Sequence, residues 1–143
     1  MADALDEQTI SLDGAQRVVT AALSLAERMK VRVSVAVAGR AGDLKAFARM
    51  DGASMLSAET ARRKVYTVAA TGMSTQEFGS ILKSEMRDEP ELFHGMIGID
   101  GIIAFAGGVP IRLDGDVIGA VAVSGGTSTQ DQEIAQAAAG AIR

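Results

Sequence analysis

Val31-Arg32-Val33-Ser34-Val35-Ala36-Val37 sets a valine at every second position, and Gly39-Arg40-Ala41-Gly42-Asp43 follows it with the glycines of a tight reversal. Period two sends alternate side chains to opposite faces of a pleated strand, and β-branched residues suit that surface. Leu44 to Met50 then reads as the returning strand of a hairpin. This pairing decides between fold classes. Parallel strands need a crossover of about a dozen residues or more, whereas a hairpin joins antiparallel neighbours directly, so a doubly wound parallel sheet is excluded.

On the N-terminal side, Ala15, Val18, Val19, Ala22, Leu25, Ala26 and Met29 recur at intervals of three and four, which predicts an amphipathic helix over Ser11 to Lys30. On the other side, Asp51-Gly52 closes the second strand. Ser57 is the expected N-cap of a helix running through Ala61, Lys64, Val65 and Val68 to a stop at Gly72. Ser74-Thr75-Gln76-Glu77 has the form of a capping box and opens a third helix, roughly Thr75 to Arg87. Asp88 to Gly95 lacks a period and reads as a loop.

Nine of the 16 glycines lie between Gly95 and Gly126, interleaved with Ile97, Ile99, Ile102, Ile103, Val109, Ile111, Val117, Ile118, Val121 and Val123. Short apolar runs punctuated by glycine predict a tight β-meander, with Asp114-Gly115 as the hairpin turn between Val109–Leu113 and Val117–Ser124. Ser128-Thr129-Gln130-Asp131 opens a final helix through Ile134, Ala138 and Ala141. The expected order is α-β-β-α-α-β-β-β-α. It describes a profilin-like α+β domain with a five-stranded antiparallel sheet flanked by helices, spanning 11–143 behind a tail at 1–10.

Composition narrows the function. The chain has 143 residues, 14 Lys plus Arg against 18 Asp plus Glu, one His and no Cys. Zero cysteines exclude disulfide scaffolds, thiolate metal sites and cysteine nucleophiles. An acidic balance with four Phe, one Tyr and no Trp lacks the basic footprint and stacking aromatics of nucleic-acid binders, so nucleic acid is not an expected partner. Acids at the N-terminus and apolar runs of strand length predict neither a secretory signal nor a membrane span, hence a cytoplasmic protein without a membrane partner.

Arg49 and Asp51 stand two apart at the end of a strand. One reading is a guanidinium fork for a carboxylate steadied by Asp51; the other is a turn made by Asp51 beside a strand-edge charge. Lys64 falls on the apolar stripe of its helix, so it either snorkels or points into a pocket. Phe105-Ala106-Gly107-Gly108-Val109-Pro110 is the most unusual run: tandem glycines expose N–H groups that can cradle an anion, or form a bend locked by Pro110. Ser124 lacks a nucleophile-elbow context, and His94 is a lone imidazole, a metal site needing several convergent ligands.

Arg49-Met50-Asp51-Gly52-Ala53, Ser57 with Ala61 and Lys64, Phe105 to Ile111, Gly115 to Gly126, and Gln130-Asp131 with Ile134-Ala135 follow one another in an order that resembles the GlcG/HbpS family, whose domain also ends PduO-type proteins. The resemblance implies homo-oligomers and, in some members, binding of haem or another tetrapyrrole such as a corrinoid. The first helix here carries no histidine, which leaves His94 as the one candidate axial ligand. Two functions follow from the resemblance and the residues together. The first is an oligomeric protein holding a tetrapyrrole or small anionic carboxylate, accessory to a catabolic pathway, through Arg49, Asp51, Lys64, Phe105, Gly107, Gly108, Pro110 and Ser124. The alternative is a lyase, isomerase or hydratase acting on a small carboxylic acid. The Gly- and Ala-rich last strand and the scarcity of aromatics favour self-association.

Overall fold

The computed structural model describes residues 2–143. Its elements are α1 (Leu12–Met29), β1 (Ser34–Gly39), β2 (Leu44–Arg49), α2 (Met55–Thr71), α3 (Thr75–Ser84), α4 (Pro90–Ile97), β3 (Gly108–Leu113), β4 (Asp116–Ser124) and α5 (Ser128–Ala139). The strands form one antiparallel sheet in the order β2-β1-β4-β3. Both expected hairpins are present. In the second, Asp114 and Gly115 adopt φ of 51° and 87°, the left-handed pair that twists a two-residue turn to match its strands.

The two faces of the sheet differ in side-chain size. Val35 and Val37 lie opposite Val123 and Val121, while Ala36 and Ala38 lie opposite Ala122 and Ala120. Alternation therefore places a valine face toward α1 and α5, where Val18, Ala22, Ala26, Ile134, Ala135 and Ala138 close the larger core. The alanine face meets Ala61, Val65 and Val68 of α2 in a thinner second core. Methyl groups in place of branched side chains let α2 lie close to the strands. The result is three layers, and the small-residue layer is where the polar groups of α2 reach the sheet.

The sheet has four strands, not five, and a fifth helix. The backbone expected to form a strand near Ile97–Ile103 is bonded to a side chain of α2 instead: Thr67 Oγ1 accepts the Ile103 N–H at 2.9 Å and sits 3.0 Å from the Gly101 carbonyl. Pro110 on edge strand β3 has no N–H to offer an added strand. Six of the eight residues of α4 fall in the stretch read as a loop, Asp88 to Gly95, and the helix is started by Pro90 in its first turn, where the missing N–H costs nothing. β1 starts at Ser34 because the Val31 N–H is held by the Ala26 carbonyl at the end of α1. Two caps shift: Ser54 caps α2 and Ser57 turns inward, and Thr127 with Gln130 forms the capping box of α5. Segment 2–11 carries no helix or strand, yet Ile10 is buried and its N–H donates to the Ile118 carbonyl at 2.8 Å.

Candidate functional site

Lys64 lies in the middle of α2, on the face turned to the alanine side of the sheet, and is 1% exposed. A buried ammonium must find acceptors or lose its proton. Its Nζ donates to the Val123 carbonyl at 2.8 Å and lies 3.4 Å from Asp131 Oδ2 of α5. The same Nζ stands 5.1 Å from the centre of the half-exposed Phe105 ring. Asp131 Oδ1 in turn accepts the Gly126 N–H at 2.9 Å. Burial is the largest influence on both groups: it lowers the Lys64 pKa and raises that of Asp131, each shift opposed by the partner's charge.

The tandem glycines pack against this pair. Gly107 has φ of 126°, and a β-carbon there would come within 2.5 Å of Lys64 Nζ and 2.6 Å of the Val123 carbonyl oxygen. Its N–H donates to Gln132 Oε1 at 2.9 Å, and the Gly108 N–H donates to Thr75 Oγ1 at 3.0 Å. Both N–H groups that the sequence offered to an anion are thus taken by neighbouring side chains. A β-carbon on Gly108 would press on Thr75, Val68 and Lys64. Ser124, buried at the end of β4, shares a hydrogen bond with Thr60 of α2, and Ser34 shares one with Ser57 at 2.8 Å.

The structure brings Lys64, Phe105, Gly107 and Gly108 together, sets Ser124 beside them next to Val123, and places Arg49, Asp51 and Pro110 apart. Arg49 ends edge strand β2, exposed, and its Nε donates to the Ala53 carbonyl at 2.9 Å; among the described residues it makes no ion pair with Asp51. Asp51 is exposed in the turn that follows, and Pro110 sits in edge strand β3. Sequence reasoning missed Asp131, Gln132 and Thr75. Asp131 lies in a stretch that reads as a helix start, and its partner is 67 positions away. The one usable signal was Lys64 itself, since a lysine on an apolar stripe demands an acceptor.

His94 stands elsewhere, on α4. It meets Phe93 edge to face, with ring centres 5.4 Å apart. A hollow of about 390 Å³ between the end of α3 and the start of α4 is lined by Leu82, Lys83, Arg87, Pro90, Phe93 and His94. Apolar side chains form its wall, with two cations and one imidazole around them. Among the described residues there is no cluster of three or more His, Asp or Glu suited to a metal ion, and no helix is long and apolar enough to cross a membrane.

The family model described as haem-degrading, HbpS-like protein matches residues 10–140. This chain belongs to the HbpS-like family. The match spans all four strands and all five helices, as the five sequence blocks led one to expect. Among HbpS-like relatives, an uncharacterised 15.0 kDa protein of the dhaT-dhaS intergenic region of Citrobacter freundii is 32% identical over 131 residues, 91% of this chain and 89% of that protein. The crystal structure of Klebsiella pneumoniae ORFY superposes with a TM-score of 0.88 at 33% identity, covering 99% of this chain and 95% of that one. The crystal structure of a PduOC–haem complex superposes with a TM-score of 0.83 at 29% identity, covering 94% of this chain and 96% of that one.

Proposed function

We propose that this HbpS-like chain is a cytoplasmic haem-binding protein, accessory to a catabolic pathway, and that it holds the porphyrin in the hollow between α3 and α4. The observation that carries the reading is the donor set of that hollow. Pro90 and Phe93, over the buried Leu82, present apolar surface to a flat macrocycle, Lys83 and Arg87 offer cations to its two carboxylates, and His94 offers the one imidazole of the chain. The haem complex of the structurally similar PduOC supports the choice among tetrapyrroles.

Bound haem supplies an iron centre able to exchange electrons and ligands. The chain's own residues do the rest. Pro90 and Phe93 would shield one face of the ligand from water, which strengthens the charged interactions at the rim. Lys83 and Arg87 orient the ring by its acidic edge, and Arg87 is released from a partner to do so with little loss, because its pair with Asp88 is long, 3.7 Å, and exposed. The alternative, an enzyme for small carboxylic acids working through Arg49 and Lys64, is the weaker reading, since both cations already bond backbone carbonyls.

Hemin titration followed at the Soret band tests the proposal. A saturable, red-shifted band is expected. His94→Ala should shift the band position, and Lys83→Ala with Arg87→Ala should weaken binding by about 1–3 kcal/mol for each charge-assisted hydrogen bond removed. An unchanged band and unchanged affinity in His94→Ala would exclude this site.

A further inference from the structure

Strand β2 is an open edge of the sheet. The Met50 N–H donates to the Val33 carbonyl at 3.0 Å, which makes 33 and 50 a hydrogen-bonded pair of the β1–β2 ladder. Such pairs alternate along antiparallel strands, so Ala48 and Ala46 turn their backbone groups to β1 while Arg49 and Phe47 turn theirs outward. Side chains alternate too. Phe47 and Arg49 lie opposite Ala36 and Ser34 and share their face of the sheet, and Phe47 is 39% exposed there. Lys45, two positions before Phe47, is the extra residue where the register shifts between Val37 and Ala38. Neither Lys45 nor Arg49 has a carboxylate partner among the described residues.

The complement of this edge is written in the chain's own first residues. Ala2 to Thr9 are exposed and form no helix or strand, and Leu5 is 81% exposed. Asp3-Ala4-Leu5-Asp6-Glu7 sets acid, leucine and acid at every second position, and Lys45-Ala46-Phe47-Ala48-Arg49 sets cation, phenylalanine and cation at the same spacing. Laid antiparallel, as every pair in this sheet is, Glu7 meets Lys45, Leu5 meets Phe47 and Asp3 meets Arg49, all on one face. Opposite charges and apolar pairs directly across a ladder both stabilise it. The register is specific. A slip of one residue turns both acids to the other face, and a slip of two sets Leu5 against a cation.

Within one chain the two surfaces stand apart. Thr9 Oγ1 accepts the Arg40 N–H at 3.0 Å and Glu7 lies 3.6 Å from Arg40, which holds the segment at the turn between β1 and β2 and leaves Leu5 and Phe47 both in solvent. A second copy is therefore the source of the complementary strand. We propose that residues 3–7 of one copy add to β2 of another as an antiparallel edge strand, and that the exchange is reciprocal. The outward N–H and C=O groups of Phe47 and Arg49 then gain partners, Leu5 covers Phe47, and the two unpaired cations gain carboxylates. About a two-fold axis each copy gives one segment and receives one, so the contact closes on itself and no open edge remains at β2. The surface is independent of the haem hollow, which is built from α3 and α4.

Charge reversal tests the exchange. In Asp3→Lys with Glu7→Lys the segment takes the sign of its edge, and in Lys45→Glu with Arg49→Glu the edge takes the sign of its segment. Sedimentation equilibrium at low salt, where exposed charges are least screened, reads the association of each. Either variant alone should raise the dissociation constant about tenfold or more over the parent. An equimolar mixture of the two should return to within about threefold of the parent, because every donated segment can then meet an edge of opposite sign. Arg49 Nε also holds the Ala53 carbonyl, so Glu7→Lys against Lys45→Glu repeats the test should Arg49→Glu melt early. A parent that stays monomeric at micromolar concentration, a variant that associates as the parent does, or a mixture no tighter than its components would each overturn the exchange. The last of these is also the result if the segment folds back on its own β2.

Discussion

Lys64 holds an ammonium where desolvation works against charge, and Asp131 is its only acidic partner among the described residues. Removing one member of such a pair leaves the other stranded, whereas removing both does not. Lys64→Met is therefore expected to cost about 3–5 kcal/mol in urea unfolding, and Lys64→Met with Asp131→Asn about 1–3 kcal/mol less than the sum of the single changes. Strict additivity would show that the two do not interact. The pair also sets a pH signature. Between the lowered Lys64 value and the ordinary 10.5, the unfolded chain holds a proton that the folded chain has shed, so stability rises with pH across that window. Asp131 acts oppositely: between 3.8 and its raised value the folded chain keeps the proton, so stability falls as pH climbs through that range. Melting curves of the parent against Lys64→Met and Asp131→Asn should lose the alkaline and the acidic slope respectively. At Gly107, φ of 126° and the crowding by Nζ act together. Gly107→Ala is expected to destabilise by about 2–4 kcal/mol, a loss that a circular-dichroism melt resolves.

At the scale of elements, the contrast is between α2 and α4. α2 buries Ser57, Ala61, Lys64, Val65, Thr67 and Val68 against alanines of β1 and β4. Ala36→Val or Ala122→Val should overpack this thin layer and cost about 1–3 kcal/mol by urea unfolding. α4 buries none of its residues and lacks a side-chain cap, although Leu92 and Ile97 are apolar. A helix with so little tertiary support opens at low free energy. Its amides should exchange with deuterium far faster than those of α1, and hemin should slow them if α4 walls the haem site. Exchange at α4 unaffected by saturating hemin would argue against that placement. Period and capping made α1, α2, α3 and α5 legible because those signals are local. α4 was missed because the stretch read as a loop stops at Gly95, before Met96 and Ile97 complete the helical spacing begun by Leu92 and Phe93, and because none of its residues is buried.

For the whole molecule, the edges of the sheet matter most. β3 is blunted by Pro110, but β2 leaves an unpaired edge with Leu44 and Phe47 half-exposed, beside Leu12 of α1. Apolar side chains on an open strand edge favour association. Light scattering at micromolar concentration is expected to give a mass of two chains or more, and Phe47→Glu to lower it; a monomer mass for the parent would end the expectation. What the sequence by itself determined is what short-range physics controls. Alternating valines made β1, glycine-bearing turns made both hairpins, and helical spacing with Ser and Thr caps made four of the five helices. Only the tertiary structure decided the remainder. Thr67 captured the backbone of residues 101–103 and removed the fifth strand, Gln132 and Thr75 occupied the tandem glycine N–H groups, and Lys64 found Asp131 across 67 positions. Each of these is a competition among partners for one hydrogen-bonding group, and the winner is set by which elements the packed sheet brings within about 3 Å, a distance that no local spacing encodes.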